Sequence, residues 1–276
     1  MPMRVGVVGH VEWIEFARVA RVPDPGDIVH ASDVFFEPAG GGAVAAVQLM
    51  KLAGEATLFT AFGDDEIGHR SADGLRALGL RVEAVFRPET QRRGFVHLDD
   101  DGERTITVLG PRLGPSGGDP LPWEELGEMD AVYFTAGDAA AASHARRARR
   151  LVSTARGIET LAEAHVELDA LVASRKDRGE RYRPGDIEPP PRVVVRTAGS
   201  GGGDWEAADG STGRWAGTEL PGPVADAYGC GDSFAAGLTY GLGDGRDIDS
   251  ALLLAARCGA ACLTGRGPYA GQLRSP

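Results

Sequence analysis

One short segment of the chain combines the residue types that the handling of a phosphoryl group requires. It reads Asp226-Ala-Tyr-Gly-Cys-Gly-Asp232, and a helical pattern of small and apolar residues follows it. At the start of a helix, the backbone N–H groups of Gly229, Cys230 and Gly231 would form an anion hole, because the helix dipole is positive there. Asp232, in the first turn, is placed to accept the proton of a hydroxyl that attacks phosphorus. The alternative role for Asp232 is N-capping of the helix, which Asp favours.

This segment resembles the D-[TS]-x-G-A-G-D signature of the ribokinase-like (PfkB) family of small-molecule kinases. The acidic and glycine positions of the signature are matched here by Asp226, Gly229, Gly231 and Asp232. Two positions depart from it, with Ala227 in place of Thr or Ser and Cys230 in place of Ala. Both changes are compatible with an anion hole that is built from backbone groups.

Further landmarks of the same family occur in the expected order along nearly the whole chain. They are Gly40-Gly-Gly42 at the start of a helix, Gly63-Asp-Asp-Glu-Ile-Gly68 after a strand, Gly79 at a helix end, Asp100-Asp-Gly-Glu-Arg104 in a lid turn, and Thr197-Ala-Gly199 after a strand. The resemblance implies an α/β fold with a doubly wound, mostly parallel sheet flanked by helices and a small β-lid. We expect a single domain, residues 1–276, with the lid formed by residues 12–38 and 88–110.

The resemblance also implies an activity. Members of this family transfer the γ-phosphoryl group of ATP to a hydroxyl of a sugar, sugar acid or nucleoside, with Mg²⁺ bridging the phosphates. Activation by a monovalent cation is left open, and a homodimer through the lid is expected because family members often pair in that way. The alternative is a nucleotide-binding or regulatory homologue of the same fold with weak or no catalysis.

Three groups of site residues follow from the resemblance and from its departures. The residues expected to contact the nucleotide are Thr197, Gly199, Gly201, Asp226, Ala227 and Cys258. Those expected to contact the acceptor are His10, Glu12, Gly41, Gly42 and Arg92. For the metal, the counterpart of the family's N-x-x-E motif is the degenerate stretch Ser174-Arg-Lys-Asp177, so Asp177 is the candidate ligand.

The acceptor side lacks two polar groups that the family usually carries. Ile14 stands where an Asp normally grips acceptor hydroxyls, and Val44 or Ala45 stands in place of an Asn. Glu12 could replace the Asp, or it could be an exposed edge carboxylate, and the sequence favours neither. A less hydroxylated acceptor, or an anionic one held by lid arginines such as Arg92, Arg93 and Arg112, fits these departures. The alternative for these arginines is a solvated surface, which is more common for lid arginines.

The elements that position these residues follow from hydrophobic periodicity. Buried strands are predicted at Arg4–Val8, Ala56–Ala61, Ala131–Thr135 and Arg192–Arg196. Helices are predicted at Ala43–Ala53, Ser71–Leu78, Ala139–Ala155 and Ser233–Leu242. This alternation indicates a parallel sheet covered on both faces, with ligands beyond the carboxyl ends of its strands. Residues 16–36 and 94–108 are interpreted as an antiparallel flap, and residues 174–191 as a surface loop.

Composition narrows the function classes. The net charge of −11 disfavours nucleic acid and anionic membranes as partners. The arginines at 146, 147, 149 and 150 are more consistent with a solvated helix face than with an anion site. Three cysteines without a C-x-x-C pattern predict no disulfide framework and no zinc site. Because the sequence contains no signal peptide and no membrane span, a cytoplasmic protein is expected. The G-x-G-x-x-G and P-loop motifs are missing, which disfavours dinucleotide-binding enzymes and P-loop enzymes.

Overall fold

The central layer is a long, mostly parallel sheet. A computed structural model describes residues 3–100 and 102–276 of the chain. The sheet has the strand order β13-β12-β11-β10-β9-β8-β1-β4-β5. Its strands are β1 (Val5–Val8), β4 (Thr57–Gly63), β5 (Arg81–Arg87), β8 (Ala131–Phe134), β9 (Leu151–Thr154), β10 (Ala170–Ser174), β11 (Val193–Thr197), β12 (Gly203–Ala207) and β13 (Thr212–Trp215). Only the pairings of β12 and β13 are antiparallel within this sheet of the described chain.

Helices cover both faces of this sheet. They are α1 (Gly41–Ala53), α2 (Glu66–Ala77), α3 (Ala139–Ala145), α4 (Ile158–Ala164), α5 (Cys230–Gly243), α6 (Ile248–Cys262) and α7 (Gly267–Ala270). Successive strand residues enter opposite hydrophobic clusters, as the period of two of a strand requires: Val7 and Val8 of β1 lie in different clusters. Strands buried on both faces read as continuous apolar runs, which is why they are visible in the sequence. The predicted α/β class is therefore confirmed.

A second, smaller sheet forms the lid. Its strands, in the order β3-β2-β6-β7, are β2 (Glu12–Arg18), β3 (Asp33–Ala39), β6 (Arg93–Leu98) and β7 (Arg104–Leu109). The pairing of β2 with β6 is parallel, so the interpretation of a purely antiparallel flap is wrong. The parallel pairing arises because β2 and β6 each leave the main body in the same direction, separated by α1 and α2.

The Gly63–Gly68 motif joins the main sheet to the lid. The side chain of Asp65 accepts hydrogen bonds from Gly68 N at 2.7 Å, which caps α2, and from Gln91 N at 2.9 Å, just before β6. A Cβ on Gly68 would lie 1.9 Å from Gly63 O, so only glycine fits at that approach. The motif thus holds the lid strand at a fixed position relative to the sheet.

The predicted helix Ala139–Ala155 is wrong in its second half. The helix α3 ends at Ala145, and β9 occupies Leu151–Thr154. The connecting arginines are not a solvated helix face either, because Arg146 and Arg150 bind the buried carboxylate of Asp169 at 2.8 and 2.9 Å. The same carboxylate accepts a hydrogen bond from Leu151 N at 2.8 Å, which ties this connection to the strand.

No helix of residues 3–100 and 102–276 is long and apolar enough to cross a membrane. The 174–191 stretch carries the 3₁₀ turn Arg178–Glu180 and is otherwise irregular, as expected for a loop. One side chain of this stretch, Ile187, is buried in the core at 1% exposure, so the loop is packed down rather than free.

Asp169 provides a test of this packing. Replacing Asp169 with Ala removes one partner of a buried charge network and leaves two arginines uncompensated. The free energy of unfolding should fall by about 1–3 kcal/mol, because the buried Leu151 N loses its acceptor while the partly exposed arginines can be hydrated. Urea unfolding followed by circular dichroism measures it. Asp73→Ala, which removes an exposed ion pair with Arg76, is the control and should cost at most about 1 kcal/mol. Equal effects of the two variants would contradict this role of Asp169.

Candidate active site

The glycine turn before α5 leaves an open helix N-terminus. Gly229 is the N-cap residue with φ of 79°, and its carbonyl accepts the first helical hydrogen bond from Ser233 N at 2.9 Å. No side chain among the described residues caps this end of α5. Gly231 is exposed, and a Cβ on it would meet no described atom within 4 Å. The N–H groups of the first turn are therefore available to an anion, as the sequence predicts.

Asp232 lies beside the start of α1. A Cβ built on Gly41 would be 2.9 Å from Asp232 Oδ1, 3.2 Å from Thr135 Oγ1 and 3.5 Å from His10 Cε1. Four segments that are distant in sequence therefore converge at this point. The Asp232 carboxylate makes no hydrogen bond or ion pair with any described residue, and Gly229 is the cap residue instead. The N-capping interpretation of Asp232 is thus wrong.

The carboxyl of Asp232 is tuned for proton exchange at neutral pH. Burial raises its pKa from the usual value of 3.8 to about 7, and the nearby carboxylate of Glu180 acts in the same direction. The guanidinium groups of Arg104 and Arg156 oppose this increase in the pKa. A carboxyl with a pKa near 7 can accept a proton and release it again, which is what a general base needs.

Two buried side chains fix the geometry of the glycine turn. Asp226 accepts hydrogen bonds from Tyr228 N at 2.8 Å and from Gly267 N at 3.1 Å, so both of its oxygens hold backbone groups. The hydroxyl of Tyr228 accepts a hydrogen bond from Gly40 N at 3.2 Å. Asp226 is fully buried, which assigns it to the support of the turn rather than to direct contact with a ligand.

The lid closes over this turn. Ala227 N donates to Gly102 O at 3.1 Å, and Arg104 Nη1 donates to Ala227 O at 2.7 Å. Arg18 on β2 reaches the same segment, donating to Ala225 O at 2.8 Å. The backbone of Ala227 is therefore engaged by the lid. Asp101, part of the predicted Asp-Gly-Glu-Arg turn, lies outside the described residues.

The predicted acceptor residues line the opposite wall of the cleft. Glu12 is buried and lies 2.6 Å from Arg92 Nε, so its interpretation as an exposed edge carboxylate is wrong. His10 is also buried, and its Nδ1 has no hydrogen-bond partner among the described residues. Gly42 N donates to His10 O at 3.1 Å, so this glycine holds the strand β1 exit in place. Their contact with an acceptor stays a prediction.

Three of the predicted nucleotide residues lie at the end of β11 and in the turn that follows it. Thr197 ends β11, and Gly199 and Gly201 form the 3₁₀ turn that follows it. Gly201 lines a cavity of about 370 Å³ together with Arg175, Ala198, Gly203, Asp204, Arg214, Trp215 and Ala216.

Cys258, which the sequence also assigned to the nucleotide, does not line this cavity. It is fully buried between helices, where a Cβ on Gly237 would lie 2.8 Å from its sulfur, so it belongs to the core.

Two carboxylates of the 174–191 loop are paired with Arg156. Asp177, the predicted metal ligand, is bound by Arg156 Nη2 at 2.5 Å and by Gly179 N at 2.8 Å. Glu180, which the sequence did not single out, accepts from the same arginine at 2.9 Å. Within residues 3–100 and 102–276, no group of three or more His, Cys, Asp or Glu side chains could hold a metal by itself.

Three site residues were missed because no local signal marks them. Thr135, Arg156 and Glu180 follow β8, β9 and β10, and each lies near Asp232 only through the sheet order. The general rule that ligands bind beyond the carboxyl ends of parallel strands is the signal that could have found them.

A comparison with protein families matches residues 3–175 and 186–274 to the pfkB family of carbohydrate kinases. Among curated proteins, an ATP-dependent ribose-1-phosphate kinase from Halopiger xanaduensis is 30% identical, over 94% of this chain and 91% of the relative. A ribokinase from Lactococcus lactis is 27% identical over 48% of this chain and 45% of the relative.

Solved structures share the fold over nearly the whole chain. The ribokinase from Thermotoga maritima superposes with a TM-score of 0.78 and 17% identity, over 98% of this chain and 96% of its own. The Arabidopsis thaliana ribokinase complexed with ribose and ATP gives a TM-score of 0.74 and 18% identity, over 98% and 96% of the two chains. At these identities the likeness establishes the fold.

The pKa of Asp232 can be measured directly. In protein labelled with ¹³C at the Asp carboxyl carbons, the signal that Asp232→Asn removes should titrate near pH 7. Glu180→Gln removes a like charge and frees Arg156, and both effects should lower the pKa of Asp232. Glu163→Gln, which removes an exposed carboxylate on α4, should leave it unchanged. Titration in the ordinary Asp range near 4, or no response to Glu180→Gln, would contradict the electrostatic description.

Proposed function

This chain belongs to the pfkB family of carbohydrate kinases, and from that premise we propose that it transfers the γ-phosphoryl group of ATP to a sugar hydroxyl with Asp232 as general base. The observation that carries the proposal is the placement of Asp232. Its carboxylate has no partner among the described residues, lies beside an open helix N-terminus, and holds a proton with a pKa near 7.

The proposed reaction is a direct displacement. The acceptor hydroxyl gives its proton to the Asp232 carboxylate while its oxygen forms a bond to the γ-phosphorus. The bond between that phosphorus and the oxygen bridging to the β-phosphate breaks, and ADP leaves with the bridging oxygen. Thr135, His10 and the backbone of Gly41 surround the point where the hydroxyl must lie, which restricts its approach to Asp232.

The open N-terminus of α5 supports the transfer. The N–H groups of Cys230 and Gly231 lie at its positive end, so they would stabilise the negative charge on the migrating group. The anion hole needs no particular side chain at position 230, and a thiol there is compatible with it. Lid contacts at Ala227 would exclude water from this region, so that hydrolysis does not compete with transfer.

The residues present fit Mg²⁺ bound mainly through the nucleotide. Mg²⁺ in kinases is held by one or two carboxylates together with substrate phosphates, so a complete protein cage is not required. Glu180 and Glu12 both raise the pKa of Asp232, and we propose Glu180, together with Asp177, as the metal-side group. When bound, the ion would neutralise charge on the phosphates. Arg156, paired to both carboxylates, keeps them in position.

Ribose derivatives are the first acceptors to test. Two relatives are named for ribose compounds, one as a ribose-1-phosphate kinase and the other as a ribokinase.

A homodimer through the lid remains a prediction, supported by the exposed apolar side chains of Val34 and Phe36 on β3. A monovalent cation is left open.

Asp232→Asn tests the general base. The variant should lower kcat by about 10²–10⁴-fold, the usual contribution of general-base catalysis, and should change the KM for ATP by less than about threefold. ADP release in the presence of ribose, ribose 1-phosphate and ribose 5-phosphate measures both constants. Asp73→Asn is the surface control. A variant that keeps most of its rate would show that another group takes the proton, and wild-type protein without acceptor-dependent ADP release would favour the non-catalytic alternative.

The same variant should be more stable than the wild type. Because the folded-state pKa of Asp232 is raised above its unfolded value of 3.8, the folded protein holds this proton more tightly. Its contribution to stability is therefore present below pH 4 and is lost as the pH rises through about 7. Asparagine carries no charge to bury, so the melting temperature of Asp232→Asn should exceed that of the wild type at pH 8 and match it near pH 4. A lower melting temperature at pH 8 would contradict the unfavourable burial of this carboxylate.

A further inference from the structure

We infer that the acceptor already carries a phosphate group, which binds in a cavity lined by Arg112 and Arg156 next to Asp232. This inference rests on the proposed kinase function and specifies its substrate class. The acceptor would be a sugar phosphate whose free hydroxyl faces Asp232, and the product would be a sugar bisphosphate.

The cavity lies directly beside the proposed base. It measures about 380 Å³, within the range of small-molecule sites. Its wall includes Thr135, whose hydroxyl lies at the meeting point of Gly41 and Asp232. The remaining wall comes from the segment after β7, the β8–α3 connection and the start of α4, namely Arg112, Gly114, Pro115, Ser116, Phe134, Ala136, Gly137, Asp138, Arg156, Gly157, Glu159 and Thr160. Asp232 itself does not line the cavity, so the hydroxyl of a bound molecule would reach it past Thr135.

Arg112 is exposed on the wall of the cavity, so its charge is accessible to a ligand. It makes no ion pair or hydrogen bond with any residue in the described part of the chain. Two other arginines that act on the pKa of Arg112 do have acidic partners: Arg92 is paired with Glu12 at 2.6 Å, and Arg156 with Glu180 at 2.9 Å. Burial and the charge of Arg92 lower the pKa of Arg112, yet a guanidinium remains protonated in proteins. An anionic ligand would supply the missing partner.

His10 gives an independent sign of a ligand. Its side chain is only 7% exposed, and its Nδ1 has no partner among the described residues. Burial, followed by the charges of Arg112, Arg92 and Arg156, lowers its pKa to about 3, so the ring is neutral at physiological pH. A buried polar atom without a partner is costly, and a sugar hydroxyl beside Gly41 would satisfy it.

Neither of the two carboxylates in the cavity wall, Asp138 and Glu159, is paired with Arg112. Asp138 is already committed, because it accepts hydrogen bonds from Ser116 Oγ at 2.5 Å, Gly117 N at 2.9 Å and Ala141 N at 2.8 Å. Glu159 is exposed and has no arginine partner among the described residues. The planar forks of two arginines suit the several oxygens of a phosphate better than the single charge of a carboxylate.

This cavity differs from the proposed nucleotide surface. Gly201, assigned to the nucleotide, lines the cavity at β12 and β13, and the two cavities share no residue. The phosphates of ATP would lie at the N-terminus of α5, none of whose residues lines either cavity. The charge of Arg112 is therefore assigned to the acceptor.

Arg112→Gln provides the test, with ribose, ribose 1-phosphate and ribose 5-phosphate as acceptors at saturating ATP. For wild-type protein, kcat/KM for one of the two phosphates should exceed that for ribose by about 100-fold or more. The variant should lower kcat/KM for that phosphate by about 10- to 100-fold, the worth of one charged hydrogen bond. The rate with ribose and the KM for ATP should change by less than about threefold. Arg147→Gln, an exposed arginine of the α3–β9 connection without an ion pair among the described residues, is the matched control and should leave all constants unchanged.

Three outcomes would overturn the inference: equal use of ribose and its phosphates, equal loss of rate with all acceptors in Arg112→Gln, or a raised KM for ATP alone. Binding measured by calorimetry separates this question from catalysis. Ribose 1-phosphate and ribose 5-phosphate are titrated into wild-type protein and into Arg112→Gln without ATP. Tighter binding of either by the wild type supports the subsite even where no turnover occurs, which would be a failure of the proposed function alone. Unchanged or undetectable binding of both would reject the subsite.

Discussion

The close approach of two helix N-termini is the constraint on which the site depends. A Cβ on Gly229, before α5, would lie 2.8 Å from Val44 Cγ1 on α1, and the positive φ at Gly229 independently favours glycine. Gln272 links the two helices through hydrogen bonds to Val44 O at 2.9 Å and Ser233 Oγ at 3.2 Å. Two positive helix ends therefore face one cleft, which is an arrangement suited to a site that must hold several negative charges.

The same approach places a carboxylate where its ionised form is disfavoured. Burial and Glu180 raise the pKa of Asp232, whereas Arg104 and Arg156 restrain the rise, so the value of about 7 is a balance of opposed effects. Arg104 belongs to the lid, and its hydrogen bond to Ala227 O holds its charge near the turn before Asp232. A lid residue therefore contributes, through Coulomb's law, to the pKa of a carboxyl on α5.

The sequence was informative where function requires backbone to approach backbone. The turn before α5 and the motif after β4 could be predicted because the close approach of neighbouring atoms requires glycine at Gly229, Gly63 and Gly68. The strand at Leu151–Thr154 was missed because it follows an Ala- and Arg-rich stretch with high helix propensity, and the bonds that end the helix come from Asp169 on a different segment. Arg156 and Glu180 could not be predicted for the same reason, since their importance arises from contacts across the sheet.

Packing accounts for the two apolar residues, Ile14 and Val44, that stand where the family pattern has polar residues. Ile14, where a polar grip would be expected, is fully buried in the lid sheet, where a Cβ on Gly94 would lie 2.6 Å from its Cδ1. Val44 packs against Gly229. Both positions are apolar and buried, so the recognition of the acceptor proposed above relies on other groups. His10 and the arginine-lined cavity are the polar features that face the same space. In the function proposed above, the glycine turn and Asp232 carry the phosphoryl transfer, and the wall opposite them selects the acceptor.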